Sequence, residues 1–241
     1  MIRDWPHPSD GGAGNFAGAS LPTGIPPTDW ERAEDLFYAI ASKVGVPGSG
    51  LRAYQAGAII RIRSAYSDGA RRIMLQAPTG SGKTKIASTI IAGVVATDRP
   101  VLFVTPSIEP IDQTVEKLFR EGVRDIGVMQ ATHPMTNPSR IVQVASVQTL
   151  QRRALPPADL VFIDEAHWWS SFYRKWMLDL AWRDVLFIGL SATPWRIGLR
   201  AFYDDLIVAA RPRELINVGH LSFDLPPNQM PAGDDDHCEP R

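Results

Sequence analysis

The segment APTGSGKT at residues 77–84 restricts the possible folds more than any other feature of the sequence. It follows the phosphate-binding pattern GxxxxGK[ST], except that alanine stands at the first glycine position. An apolar run precedes it and a helical pattern follows it. A strand, a glycine-containing loop and a helix in this order present backbone N–H groups and the positive end of a helix to an anion. The segment therefore predicts an α/β fold with a phosphate site at a strand end.

Each part of this loop suits a separate chemical task. Gly80 and Gly82 allow the backbone to curl around an anion, Lys83 neutralises the outer phosphates, and Thr84 offers a hydroxyl to Mg²⁺. A chance match in a glycine-containing loop is the alternative, and the flanking strand and helix disfavour it. We therefore predict that ATP and Mg²⁺ bind here, through Pro78, Thr79, Gly80, Ser81, Gly82, Lys83 and Thr84.

A second chemical segment, LVFIDEAH at residues 160–167, is an apolar run that ends in two carboxylates and a histidine. In P-loop enzymes a carboxylate at such a strand end holds Mg²⁺, while a neighbour orients and deprotonates water. We assign Asp164 to the metal, Glu165 to the general base, and His167 to a link between the nucleotide and a nucleic-acid surface. Two acids alone would favour a solvated helix cap, but their position about eighty residues after a P-loop favours catalysis.

The body of the chain alternates apolar runs with helical patterns. Apolar runs without period-two alternation indicate strands that are buried on both faces. Their alternation with helices implies right-handed crossovers and a parallel sheet covered by helices on both faces. The predicted strands are 72–76, 101–105, 126–130, 141–146, 160–164 and 185–190, and the predicted helices are 84–96, 111–121, 171–180, 211–218 and one that begins near Leu51.

The two ends of the chain differ from this body in composition. Residues 1–28 are rich in glycine and proline, and residues 223–241 are rich in proline and aspartate. We predict a flexible leader and a disordered tail, respectively. Between them, residues 29–222 are predicted to form one nucleotide-binding domain with N-terminal helices, the first of which carries apolar residues at helical spacing from Trp30.

Charge and cysteine content limit the class of protein. The formal net charge is −1, so a nucleic-acid partner would have to be held by a local surface and not by bulk attraction. The single cysteine, Cys238, excludes a disulfide framework within the chain and fits a reducing compartment. The apolar stretches are shorter than a membrane span. We therefore expect a soluble, cytoplasmic protein without a membrane partner.

The order APTGSGKT, DEAH and then SAT (191–193) resembles the superfamily 2 helicases of the DEAH-box kind. Within these it is most similar to the group of restriction-enzyme translocase subunits and excision-repair helicases. The resemblance covers about residues 50–220. It implies the first RecA-like domain of a motor, which binds and hydrolyses ATP and acts on nucleic acid, with DNA as the nucleic acid of this group.

Further stretches extend the resemblance and imply contacts. LRAYQ at 51–55 resembles the adenine-reading segment, with Gln55 on the base and Arg52 nearby, although an ordinary amphipathic helix is the alternative. VLFVTP at 101–106 and ASVQTL at 145–150 resemble motifs Ia and Ib, which hold the phosphodiester backbone of one strand. Without the other motifs each would be a routine cap or turn. The implied nucleic-acid contacts are Thr105, Pro106, Ser146, Gln148 and Thr149.

GLSATPWR at 189–196 resembles motif III, which links hydrolysis to movement. The resemblance implies that Ser191 and Thr193 contact the carboxylate–histidine cluster. The arginine pairs at 71–72 and 152–153 are expected to be solvated ends of elements and not a dedicated groove. For the tryptophans we expect packing in a core or domain interface, with stacking on bases as the alternative. These are Trp168, Trp169, Trp176, Trp182 and Trp195.

A complete motor of this family has two RecA-like domains, and the second supplies an arginine finger that contributes roughly a thousandfold or more to turnover. The sequence carries motifs of the first domain only, and residues 211–221 resemble the segment that leads into the second. We therefore expect a partner polypeptide with the second RecA-like domain. An ATP-dependent nucleic-acid clamp and an inactive helicase fragment are the alternatives, whereas DEAH and SAT disfavour a P-loop kinase or small GTPase.

Overall fold

A parallel β-sheet is the centre of the computed structural model, which describes residues 50–130, 132–168, 171–194, 199–217 and 219. Within these residues seven parallel strands pair in the order β3-β4-β2-β5-β6-β1-β7. The strands are β1 (Arg72–Gln76), β2 (Val101–Thr105), β3 (Ile126–Val128), β4 (Val142–Ser146), β5 (Leu160–Ile163), β6 (Leu186–Ser191) and β7 (Asp205–Val208).

Helices lie between most of the strands, as right-handed crossovers of a parallel sheet require. They are α1 (Ala53–Ser67), α2 (Lys83–Val95), α3 (Ile111–Arg120), α4 (Val147–Leu150), α5 (Ser171–Leu178) and α6 (Pro212–Asn217), with 3₁₀ turns at Leu180–Trp182 and Leu199–Phe202. No helix in the described part of the chain has the length and apolar character that a membrane crossing requires.

Two apolar cores cover the two faces of the sheet. Successive residues of a strand point to opposite faces, so Ile73 and Leu75 of β1 pack with α1, α2 and α3, whereas Met74 packs on the other face with α5. In the central strands the rings of Phe103 and Phe162 stack with centroids 5.9 Å apart on the first face. Burial on both faces explains why the strand sequences lack period-two alternation.

The predicted α/β architecture and all six predicted strands are confirmed, with β3 ending two residues earlier than expected. The sequence analysis missed β7. Leu206, Ile207 and Val208 form an apolar run, but this strand pairs with β1 alone among the described strands and buries only Ile207 fully. The predictions for the leader 1–28, the helix that begins near Trp30 and the tail 223–241 lie outside the described residues.

We predict that Ile188→Val lowers the free energy of unfolding by about 1 kcal/mol, because it removes a methyl group from a well-packed core. Ile188 lies in β6 and is 0% exposed, whereas Ile60 on α1 is 56% exposed. The matched variant Ile60→Val should change stability by less than about 0.5 kcal/mol. Urea denaturation measures both. Equal losses in the two variants would contradict the assignment of β6 to the centre of the sheet.

Candidate active site

The pairing of β6 with β1 on one side and β5 on the other brings three loops to the carboxyl edge of the sheet. Backbone hydrogen bonds connect these loops to neighbouring strands. The N–H of Ala77 donates to the carbonyl of Ser191 at 3.0 Å, and that of Ala166 donates to the carbonyl of Leu190 at 2.9 Å. The segments 77–84, 164–167 and 191–193 are therefore neighbours in space, although they are far apart in sequence.

The loop 77–84 has the curled backbone that its glycines predict. Gly80 and Gly82 have φ values of 78° and 84°, a region that glycine adopts without a steric penalty. The hydroxyl and the N–H of Ser81 donate to the carbonyl of Pro78 at 2.6 and 3.1 Å, which closes the turn. Ala77, which occupies the first position of the pattern, is fully buried in the core. The loop therefore depends on the later glycines for its curl.

Lys83 and Thr84 begin α2, directly after this loop. The ammonium group of Lys83 donates to the carbonyl of Ala77 at 3.4 Å, so it lies over the loop. Both side chains are only partly buried. A cation and a hydroxyl at this position suit the outer phosphates of a nucleotide and a hard metal ion, respectively.

The first turn of α1 is attached to this loop through Gln55, which is 4% exposed. Its Nε2 donates to the carbonyl of Ser81 at 2.9 Å, while its Oε1 accepts from the N–H of Arg52 at 2.9 Å. The hydroxyl of Tyr54 donates to the same carbonyl at 2.6 Å. The sequence analysis did not single out Tyr54, because a tyrosine on an amphipathic helix is ordinarily a packing residue. A Cβ at Gly82 would lie 2.5 Å from Gln55 Nε2.

The two carboxylates directly follow β5 in an unusual turn. Glu165 has φ 47°, a left-handed conformation that a glutamate rarely adopts, and its N–H donates to Asp164 Oδ1 at 3.0 Å. Such backbone strain costs on the order of 1–3 kcal/mol and persists only where the surroundings enforce it. Here Ala166, the next residue, is buried and its N–H is bonded to β6. The sheet therefore holds the turn from its neighbouring strand.

His167 connects the carboxylates to the segment after β6. Its Nδ1 lies 3.2 Å from Glu165 Oε2 and 3.1 Å from the hydroxyl oxygen of Ser191. Ser191 is 0% exposed, and its hydroxyl oxygen also accepts from the N–H of Thr193 at 3.1 Å. The carboxylate contact requires the proton on Nδ1, because an ionised carboxylate can only accept. Contacts of the His167 ring and the Ser191 hydroxyl thus bring Glu165, His167, Ser191 and Thr193 together.

Burial raises the pKa of Asp164, and the neighbouring charge of Glu165 raises it further. Lys83 and Lys117 oppose the shift, and Lys117 is a residue that the sequence analysis had not connected with the site. Burial therefore disfavours the ionised form of Asp164 more strongly than the two lysines favour it. This donor set fits Mg²⁺, which takes one or two carboxylates together with phosphate and hydroxyl oxygens. Asp164 and Thr84 would hold it here.

Two buried tyrosines, Tyr173 and Tyr203, lie near the turn at 164–167. A Cβ at Gly189 of β6 would lie 2.5 Å from the hydroxyl oxygen of Tyr203 and 3.0 Å from the Cβ of Ala166. Burial raises the pKa of Tyr203 and of Tyr173, and the charge of Asp164 adds to the effect on Tyr173. The missing side chain at Gly189 therefore lets Tyr203 approach the turn at 164–167. Sequence motifs do not predict that either tyrosine lies near the site, because both positions depend on packing.

The residues predicted to contact nucleic acid meet where β2 and β4 end, since Thr105 is the register partner of Ser146. Both of these side chains are 0% exposed. The Thr105 hydroxyl donates to the carbonyl of Ser107 at 2.7 Å, and the Ser146 hydroxyl accepts from the N–H of Thr149 at 3.2 Å. Their hydroxyls therefore shape the following loops and do not themselves reach a surface ligand.

Pro106, Gln148 and Thr149 are only partly buried. Gln148 Nε2 donates to the carbonyl of Pro106 at 3.3 Å, which ties α4 to the loop after β2. Of the five residues predicted to contact nucleic acid, these three are the ones whose position allows direct contact.

The tryptophans divide between the core and the surface. Trp176 is 3% exposed and packs against Trp182, Phe172 and Phe187 at ring centroid distances of 5.2, 5.5 and 5.3 Å, as expected of core residues. Trp168 differs, because it is 66% exposed and lies 5.8 Å from the ring of His167. Trp169 and Trp195 lie outside the described residues.

Comparison with known proteins adds family evidence. The family described as "Type III restriction enzyme, res subunit" matches residues 49–196. A 51.5 kDa protein of Lactococcus phage (isolate 7-9) is 28% identical over 154 residues, which are 62% of this chain and 31% of that protein. The chain thus spans about a third of the length of this relative.

Solved structures share the fold. The UvsW helicase from bacteriophage T4 matches with a TM-score of 0.56 at 14% identity, over 65% of this chain and 59% of that one. The Type ISP restriction-modification enzyme LlaGI, as a nuclease-deletion mutant with a DNA substrate mimic, matches with a TM-score of 0.54 at 17% identity, over 70% of this chain and 20% of that one. The Sulfolobus solfataricus SWI2/SNF2 ATPase core with dsDNA matches with a TM-score of 0.51 at 18% identity, over 64% of this chain and 34% of that one. At these identities the likeness establishes the fold.

We predict that Asp164→Asn stabilises the ligand-free protein at pH 7. The folded state raises the pKa of Asp164 above its ordinary value of 3.8, so ionisation costs stability as the pH rises from 3.8 through the folded-state pKa. Asparagine carries no such penalty. The stability difference between variant and wild type should therefore be largest at neutral pH and vanish as the pH falls towards 3.8.

Urea denaturation in metal-free buffer between pH 4 and pH 7 measures this difference. A stability difference that is constant over this range, or a variant that is less stable at pH 7, would contradict the raised pKa of Asp164 in the folded protein.

Proposed function

The chain belongs to the type III restriction enzyme res subunit family, and from this premise we propose that it is the ATP-binding and ATP-hydrolysing first motor domain of a DNA helicase or translocase. The predicted superfamily 2 helicase domain with a RecA-like fold is confirmed. The observation that carries the proposal is the meeting of Lys83, Asp164 and Glu165 at one edge of the sheet. In this proposal the domain extends over residues 29–222.

In this proposal the loop 77–84 holds the phosphates of ATP. Its backbone N–H groups surround the phosphates, and Lys83 neutralises their outer charge. Gln55 and Arg52 lie on the side of adenine. Because Gln55 donates to the carbonyl of Ser81, a base that binds at Gln55 would be coupled to the shape of the phosphate loop.

Glu165 is the general base of the proposed hydrolysis. Its side chain is 36% exposed, so water reaches it, and His167 lies within hydrogen-bond distance to fix its orientation. Thr84 and Asp164 would hold Mg²⁺, which when bound neutralises charge on the phosphates. Glu165 orients the attacking water and takes its proton. The chain from Glu165 through His167 to Ser191 and Thr193 gives a physical connection along which hydrolysis alters the loop after β6.

The nucleic-acid contact that we propose lies beside the ATP site, at the ends of β2 and β4. Pro106, Gln148 and Thr149 contact the backbone of one strand, while Thr105 and Ser146 hold the loops in shape. Backbone contacts make binding indifferent to sequence and sensitive to salt. Support for DNA comes from LlaGI and the SWI2/SNF2 core, whose structures contain DNA or a DNA mimic.

We further propose that full turnover requires a second RecA-like half. Hydrolysis in P-loop enzymes gains roughly a thousandfold or more from an arginine finger, and a motor needs two grips that open and close. The chain spans 59% of the UvsW chain and 20% of the LlaGI chain. In this proposal another protein segment supplies the second half, across the edge where the ATP site and His167 lie.

We expect slow ATP turnover by the purified chain, increased by single-stranded DNA. Glu165→Gln should lower turnover by about a hundredfold or more, since it removes the general base. Lys83→Ala should abolish ATP binding, whereas Glu165→Gln should retain it. Phosphate release and binding of a fluorescent ATP analogue measure the two properties. Unchanged turnover in Glu165→Gln would overturn the assignment of the base, and ATP binding without any turnover would favour a nucleic-acid clamp.

A pair of glycine variants tests the contact between Gln55 and the phosphate loop. Gly82 and Gly69 have similar positive φ values of 84° and 97°, but only a Cβ at Gly82 would meet Gln55. Both alanine variants introduce backbone strain of about 1 kcal/mol. We expect Gly82→Ala to weaken binding of the ATP analogue at least tenfold and Gly69→Ala to leave it unchanged. Equal affinities in the two variants would refute a role for this contact.

A further inference from the structure

A cleft of about 200 Å³ lies outside the ATP site, between the loops after β2 and β3 and the helix α4 that follows β4. It is at the carboxyl edge of the sheet, where these three neighbouring parallel strands end. The residues that line it are Ile108, Gln130, Gln148, Thr149, Arg152 and Arg153. Two of these, Gln148 and Thr149, belong to the proposed nucleic-acid contact, whereas the arginines do not.

The charge of this cleft is unbalanced. Arg152 and Arg153 are both exposed, and among the described residues neither forms an ion pair. The residues that line the cleft include no carboxylate. Two guanidinium groups without a counter-charge, side by side at a concave surface, favour an anionic ligand.

Hydrogen bonds between the loops hold the cleft open in one shape. His133 Nε2 lies 2.8 Å from Asp112 Oδ1, which ties the loop after β3 to the first turn of α3. His133 Nδ1 accepts from the N–H of Met135 at 3.1 Å, so Nε2 is the nitrogen that donates to Asp112. On the opposite side Gln148 Nε2 donates to the carbonyl of Pro106. The loop after β3 is therefore tied to α3, and α4 to the loop after β2, before any ligand binds.

We propose that Arg152 and Arg153 bind phosphate groups of a nucleic-acid strand in this cleft, with Ile108 packing against the sugar between them. A guanidinium pairs with two phosphate oxygens at once, and Ile108 is 45% exposed at the wall of the cleft. A cleft of this size takes a sugar–phosphate unit and not a duplex. This assignment rests on the proposed function, and it replaces the expectation that the pair 152–153 is only a solvated end.

The test uses the full chain and a fluorescein-labelled oligothymidine strand, with fluorescence anisotropy over a salt series. Arg152→Ala/Arg153→Ala should weaken binding by about tenfold or more at low salt. The slope of log affinity against log salt should become shallower by about 1.4, or about 0.7 for each lost phosphate contact. Affinity for the fluorescent ATP analogue should not change, because neither arginine lies at the phosphate loop.

Two further variants make the result specific. Lys175→Ala/Arg213→Ala removes the same charge from α5 and α6, where both residues are exposed, and should bind oligothymidine as the wild type does. Arg152→Lys/Arg153→Lys keeps the charge and should recover the wild-type salt slope with only part of the affinity, because lysine lacks the two-pronged contact.

The outcomes separate this inference from the proposed function. If the wild type binds oligothymidine and the Arg152→Ala/Arg153→Ala variant matches it in affinity and slope, the cleft is not the phosphate site, although the proposed function stands. An equal loss of oligothymidine affinity in Lys175→Ala/Arg213→Ala would also overturn the inference, because the effect would then come from the overall charge of the protein. A wild type that binds the ATP analogue but not oligothymidine would refute the nucleic-acid part of the proposed function, and this inference with it.

Discussion

The rest of the structure depends on the parallel pairing of β6 with both β1 and β5. In this register Gln76 lies beside Ser191 and Ile163 beside Gly189, so β1 and β6 end together and β5 ends two residues earlier at the same edge. Each loop that leaves them is then bonded to its neighbour, as the N–H of Ala77 is to the carbonyl of Ser191. Segments that are far apart in the chain therefore form one site, because backbone hydrogen bonds between neighbouring strands and loops hold them together.

This frame also supports conformations that would not persist alone. The left-handed turn at Glu165 is bonded to β6 through the N–H of Ala166, and Gln55 binds the carbonyl of Ser81 from the side of α1. Asp164 sits in this turn with a raised pKa, beside a second carboxylate. Backbone strain and a carboxylate with a raised pKa thus occur together at the edge of the sheet, where a bound cation would offset the carboxylate charge.

The other half of the sheet edge has a different character. Around the ends of β2 and β4 the polar side chains of Thr105 and Ser146 are used internally, and the charge that faces outwards comes from Arg152 and Arg153. Strand β5 lies between the two regions, and the turn after it carries the exposed Trp168 next to His167. One strand end therefore connects the proposed ATP site with the proposed nucleic-acid surface.

The sequence by itself determined six of the seven described strands, the glycine loop at 77–84 and the acidic turn at 164–167, because these follow from local patterns of apolar residues, glycines and charge. Only the tertiary structure decided that β7 completes the sheet, that Gln55 binds the carbonyl of Ser81, and that the pair 152–153 lines a cleft. These features depend on which strands become neighbours and on how side chains pack between them, and such long-range contacts leave no local pattern in the sequence.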